Sequence, residues 1–248
     1  MLTRSQVHQF SAYYESEWIK LPSNKRLSAV LNKQSIHQAT LKSVIRDERG
    51  VVVIPNLDLL AGDYQLEDLS TATSFTEKND QYLRMYEAIK AIESEYDYII
   101  FDCAPSDFAI TRLAIFASEE IVVPLNPDLF SLAGLSRIAR KLTALKKEIE
   151  PFTIHLPGYI FPKIQFVIFN NRRKGSTYPV ENEIIERIKS PGNKRNLFYK
   201  KISLTKISHS IEIVRSITER RPLVLRNDEI SDEFKTLASS IDQWSRVT

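Results

Sequence analysis

The run Tyr98-Ile99-Ile100-Phe101-Asp102 constrains this chain more than any other stretch. Four consecutive nonpolar or aromatic residues lead straight into an acid. Because they do not alternate with polar residues, they predict a central parallel strand buried on both faces. Ligands of open α/β sheets sit beyond the carboxyl ends of such strands. A carboxylate at that position is costly to desolvate unless a metal-bound water or a backbone N–H compensates. Two readings of Asp102 follow. It orients the water shell of a phosphate-bound magnesium ion, or it caps the loop that comes next.

Periodic segments on either side alternate between helix and strand. Residues 26–46 show helix-like apolar spacing, and Val51–Ile54 and Leu57–Leu60 are short β-type runs. Residues 79–95 predict an amphipathic helix with Leu83, Tyr86, Ile89 and Ile92 near one face and Asn79 or Asp80 as its N-cap. Beyond Asp102 the pattern predicts a helix over Ala109–Ser118, a strand over Ile121–Pro124 and a helix over Ser131–Glu150. A strand at Gln165–Phe169 and a helix at about Val180–Lys189 follow, then a helical stretch over Leu204–Thr218, a short strand at Leu223–Leu225 and a last helix over Asp232–Trp244. Such alternation defines an α/β fold: a mostly parallel sheet flanked by helices on both faces, in a single domain spanning residues 1–248.

Composition narrows the setting. With 43% hydrophobic and 26% charged residues the chain is an ordinary soluble globular protein. No apolar run approaches the ~20 residues of a membrane span, and the residues after Met1 lack the apolar core of a signal peptide. One cysteine, Cys103, cannot form an internal disulfide, so a reducing cytoplasm is the default location. The net charge is only +3, yet residues 160–222 hold fourteen Lys and Arg against five Asp and Glu. A polyanion-facing side and a solvated face without a partner both fit that asymmetry.

Tyr96-Asp97-Tyr98-Ile99-Ile100-Phe101-Asp102-Cys103-Ala104-Pro105-Ser106 closely resembles the Walker B segment of ParA/Soj/MinD-type P-loop ATPases, usually written YDYIIIDTPPS. The resemblance continues in register. Residues 113–124 are similar to the family stretch that ends in an apolar strand and proline, and Leu129–Leu135 to the start of its next helix. Pro55–Gly62 resembles a family segment in which proline replaces Ala61; Phe166–Asn170 resembles the strand that ends near the adenine, and Ile211–Val224 a late segment containing Pro222. Together these cover roughly residues 40 to 245.

The resemblance implies ATP and Mg2+ as cofactors, with Asp102 holding the metal through water and Pro105, Asn170 and Pro222 lining the nucleotide. It also implies a cytoplasmic, nucleoid-associated homodimer of the DNA-partitioning branch, binding DNA non-specifically and answering to a ParB-like partner. Under it, Arg172, Arg173, Lys174, Lys200, Lys201, Lys206, Arg215 and Arg220 are the DNA-binding candidates. Asp228–Trp244 has an acidic start and only Lys235 within it, unlike a membrane-targeting helix, so no membrane partner is expected.

One family feature does not occur in these residues. The family opens with an apolar strand and the loop KGGxGK followed by Ser or Thr, whose N–H groups and lysine cradle the phosphates. By resemblance about forty residues are missing, including both phosphate-binding lysines. Arg172-Arg173-Lys174-Gly175-Ser176-Thr177 imitates that loop only superficially: it has one glycine, and its lysine precedes it. A truncated reading frame and a protein that has lost ATP binding both explain the gap. The sheet's need for its inner strands favours truncation. Either way the chain as written is expected not to hydrolyse ATP. A non-enzymatic DNA- or protein-binding module on the same scaffold is the rival reading, and an ATPase positioning a flagellum or chemoreceptor array is a third.

Other residues carry less. Asn170 and Asn171 both suit a strand-end turn, so the adenine role of Asn170 has a bland alternative. Cys103 has no histidine near it in sequence and reads as an inert thiol. His8, His37, His155 and His209 lack metal-ligand spacing. Phe161-Pro162-Lys163 and Phe198-Tyr199-Lys200-Lys201 mix aromatic and basic residues, but packing explains them as well as base stacking does.

Overall fold

A computed structural model describes residues 20–46, 51–62, 75–103, 109–175, 178–189, 197–219, 222–226 and 228–245. The chain divides into two compact units, residues 1–118 and 119–248, and each is taken by itself.

In the first unit the helix-like spacing of residues 26–46 resolves into two short helices and a strand: α1 (Leu27–Leu31), α2 (Ile36–Ala39) and β1 (Ile45–Arg46). Strand β1 pairs antiparallel with β2 (Val52–Ile54). Leu57–Leu60 forms no strand of its own, but Leu41 and Leu59 exchange backbone hydrogen bonds of 2.8 and 2.9 Å. Helix α3 (Phe75–Lys90) starts before Asn79, so neither Asn79 nor Asp80 caps it. Its most deeply buried residues are Tyr82 and Met85 rather than Leu83 and Tyr86, placing the seam one residue from the expected register. Phe116 of α4 (Ala109–Phe116) fixes that seam, with ring centroids 5.1 Å from Tyr82 and 5.8 Å from Tyr86. Val30, Ile36, Ala39 and Ile92 form a buried cluster against which Leu60, Ile89, Tyr96 and Ile99 pack.

The second unit carries a three-stranded parallel sheet in the order β3-β4-β5: Glu120–Leu125, Lys163–Arg172 and Phe198–Ser208. Strand β4 is central. Ile164, Gln165, Phe166 and Val167 are all fully buried, and since successive side chains point to opposite faces, both faces are covered. The cover comes from α5 (Leu129–Thr153), α6 (Pro179–Lys189) and α8 (Glu229–Ser245), while α7 (Ile211–Thr218) buries none of its residues. Helix α5 turns Leu135, Leu142, Leu145 and Ile149 inward and is capped by Asp128, whose carboxylate accepts the Ser131 N–H at 2.7 Å.

Two expectations fail here. Residues 204–208 belong to β5, and only from Ile211 is the chain helical, with the Ser210 hydroxyl accepting the Glu212 N–H. Parallel pairing to β4 decided a sequence whose apolar spacing suited either state. Leu223–Leu225 is a 3₁₀ turn instead of a strand, closed by Leu225 N–H to Pro222 C=O at 3.0 Å. Among the described residues no helix is long and apolar enough to cross a membrane. The architecture is α/β with a parallel sheet and helices, as the alternation predicted.

Candidate functional site

The segment with Asp102 lies in the first unit and departs from expectation. Tyr98–Asp102 enters no ladder among the described residues, and Ile100 is 86% exposed. Exposure alternates: Ile99 and Phe101 are half-buried, whereas Tyr98, Ile100 and Asp102 face out. A strand buried on both faces needs a neighbour on each edge, and no described strand supplies one. The Asp102 carboxylate is therefore exposed. The Cys103 thiol reaches solvent, yet partial desolvation, and behind it the Asp102 charge, push its pKa up, which suits an unreactive thiol. Pro105 lies outside the described residues.

Just ahead of this segment lies a cluster that motif reading did not find. The Tyr96 hydroxyl donates to Asp58 Oδ2 at 2.7 Å, and the Ser43 N–H donates to Asp58 Oδ1 at 2.8 Å. Lys42 Nζ donates to the Tyr96 oxygen at 2.7 Å and stands 2.9 Å from Asp58 Oδ2. Burial pushes Asp58 up, but the hydrogen bonds from Tyr96, Lys42 and Ser43 outweigh it and hold its pKa below the ordinary value. Its bonds to Tyr96 and then Asp58 push Lys42 up, and desolvation leads in raising Tyr96. The three residues are far apart in sequence. The one available signal was an acid, Asp58, set between Leu57 and Leu59 in a β-type run.

In the second unit, Asn170 is exposed near the carboxyl end of β4. Between the pairs Phe169–Lys206 and Arg172–Ser208, β4 holds one residue more than β5, a bulge. Asn171 takes the left-handed conformation there, at φ 59°, which Asn tolerates better than most residues. The Asn171 Oδ1 lies 2.5 Å from His209 Nδ1, so that nitrogen is the donor. Asn171 thus carries the turn, and the Asn170 amide is left at the surface. Pro222 is half-buried at the start of its 3₁₀ turn.

The basic candidates separate into groups. Arg172 Nε donates to the buried Glu181 carboxylate, and Lys206 Nζ reaches the other Glu181 oxygen at 3.0 Å. The Arg172 guanidinium also stacks over Tyr178 at 5.2 Å. Lys174 pairs with Glu229, and Arg215 with Glu212 at 2.5 Å. Arg173 is exposed, and its guanidinium pairs with no acid among the described residues. Lys200 and Lys201 lie in β5, where only their backbone is described, and Arg220 lies outside the described residues.

Comparison with known proteins completes the picture. A family model described as an AAA domain matches residues 11–154. The chromosome partitioning protein ParA of Myxococcus xanthus is 22% identical over 197 residues, covering 79% of this chain and 60% of that protein. The sporulation initiation inhibitor protein Soj of Bacillus subtilis is 27% identical over 124 residues, 48% of each chain. The chain thus spans about half to three-fifths of the length of these two relatives. Among solved structures, a Borrelia burgdorferi chain described as a plasmid partition protein, bound to AMPPNP, superposes with a TM-score of 0.63 at 17% identity. That match covers 98% of this chain and 84% of the other, and at this identity it speaks for the fold. Family match and fold define the class to which the chain belongs, an AAA domain on the fold of the plasmid partition protein. The chain belongs to the AAA domain family, and within it to the ParA/Soj type.

Proposed function

We propose that this chain is the scaffold of a DNA-partitioning ParA-type ATPase without a Walker A loop of its own, and that alone it does not turn over ATP. The observation that supports this reading is the family match across residues 11–154, which takes in the exposed Asp102. A single exposed carboxylate suits Mg2+, which takes one or two carboxylates and leaves the rest of its shell to water and phosphate oxygens. The exposed Asp102 carboxylate leaves room for a water between it and an ion, so the outer-sphere role fits it. Bound there, the ion would neutralise charge on the nucleotide's phosphates.

Asp102 orients waters in this reading, and Pro105, Asn170 and Pro222 are the nucleotide-lining candidates by resemblance alone. ATP would drive dimerisation and non-specific binding of DNA through the basic residues of the second unit, with a ParB-like partner releasing it. This is backbone electrostatics and so strongly salt-dependent.

A non-enzymatic binding module on the same scaffold is the second reading. It is favoured by the excess of Lys and Arg, fourteen against five Asp and Glu, over residues 160–222. The two are separated by incubating the pure chain with MgATP and, apart, with duplex DNA. No phosphate release above an Asp102→Ala control supports the first part of the proposal, and clear turnover overturns it. Tight DNA binding without nucleotide favours the module.

A further inference from the structure

We propose that Asp58 is a positioning residue that, through the Tyr96 hydroxyl, fixes the segment carrying Asp102. The inference rests on the nucleotide-facing role given to Asp102 above, and deepens it. The segment Tyr98–Asp102 has no ladder hydrogen bonds among the described residues to hold it. Two anchors lie at its start. Ile99 and the Tyr96 ring pack on the cluster of Val30, Ile36, Ala39 and Ile92, and the Tyr96 hydroxyl is bound to Asp58 at 2.7 Å and to Lys42 at 2.7 Å. Packing alone lets an extended segment rotate and slide; a directional hydrogen bond to a fixed carboxylate does not. Asp58 is itself fixed, because the Ser43 N–H occupies its other oxygen at 2.8 Å and its side chain is only 12% exposed. Tyr96, Asp102 and the residues between them thus form one lever, pinned at Asp58.

The groups facing Asp58 are Lys42, Tyr96 and the Ser43 backbone. Protonating the carboxylate removes the charge that orders both partners, so the lever loosens in acid. Lys42 is half exposed and tightens the cluster without closing it off from solvent.

Cys103, the only cysteine in the chain, is exposed beside Asp102 and provides a reporter at the lever's far end. A nitroxide attached to Cys103 of the full chain should give an ordered electron paramagnetic resonance line at neutral pH. Tyr96→Phe keeps the ring packing and removes the hydroxyl; it should give a mobile line, as should Asp58→Asn. Wild type should acquire the mobile line as the pH falls through the Asp58 titration, while Asp58→Asn shows no such change. Asp58→Glu, which keeps the charge, should recover part of the order. Thermal unfolding of each labelled variant checks that the fold persists. An ordered line in both Tyr96→Phe and Asp58→Asn, or a pH response that survives in Asp58→Asn, overturns the proposal. No nucleotide enters this measurement. A failed role for Asp102 in nucleotide binding shows in phosphate release, and a failed lever shows in the line shape.

Discussion

The hydroxyl of Tyr96 donates to Asp58 Oδ2 at 2.7 Å, joining two of the segments by which this chain resembles the ParA type. Tyr96 opens the segment that leads to Asp102, and Asp58 sits within Pro55–Gly62. The cluster has a stability signature. Asp58 has a folded pKa below its ordinary 3.8. A depressed carboxylate contributes its full stability above the unfolded pKa and loses it as pH falls through the folded one. The urea midpoint of wild type should therefore fall between about pH 5 and about pH 2 more steeply than that of Asp58→Asn. At neutral pH Tyr96→Phe should cost about 1.5–3 kcal/mol, the worth of a hydrogen bond to a charged group. Parallel pH profiles for wild type and Asp58→Asn would show that the cluster contributes nothing.

The sequence foretold the parallel sheet of the second unit because strand-like and helix-like segments alternate along it. It misplaced residues 204–208 because apolar residues at 202, 204 and 207 fit strand and helix alike, and only β4 as a neighbour selects the strand. The run 98–102 was read as a buried strand from composition alone, whereas burial depends on which strands lie beside it. Lys42, Asp58 and Tyr96 could not be read as a cluster, since no period or motif connects them. Nor could sequence show that Arg172 and Lys206 converge on Glu181.

That convergence yields a second prediction. The Glu181 side chain is 6% exposed between Arg172 and Lys206, so Glu181→Ala strands Arg172 against the sheet. Removing one partner of a buried pair costs about 3–5 kcal/mol, and the expected loss lies near the lower bound because Lys206 is half exposed. Denaturant unfolding measures it. A loss under about 1 kcal/mol would show the pair to be a surface contact.

Arg172 and Arg173, adjacent in sequence, should behave differently. Arg172→Ala should lower the melting temperature, and Arg173→Ala should leave it unchanged. Binding of duplex DNA at low salt should weaken in Arg173→Ala, with the slope of log K against log salt reduced by about one. An unchanged slope would remove Arg173 from the DNA-binding set.

Asp128 caps α5 through the Ser131 N–H at 2.7 Å. Asp128→Ala should cost about 1 kcal/mol, while Asp128→Asn should retain most of the cap. Equal losses in the two variants would mean that charge at the helix start matters more than the hydrogen bond.

In the proposed function the Asp102 carboxylate serves a nucleotide's metal once a phosphate-binding loop is present. Its most direct test is magnesium-dependent phosphate release by this chain joined in frame to a preceding strand and KGGxGK-Thr loop of the ParA type. The account predicts turnover that Asp102→Ala abolishes. Turnover of equal rate in the Asp102→Ala form would contradict it.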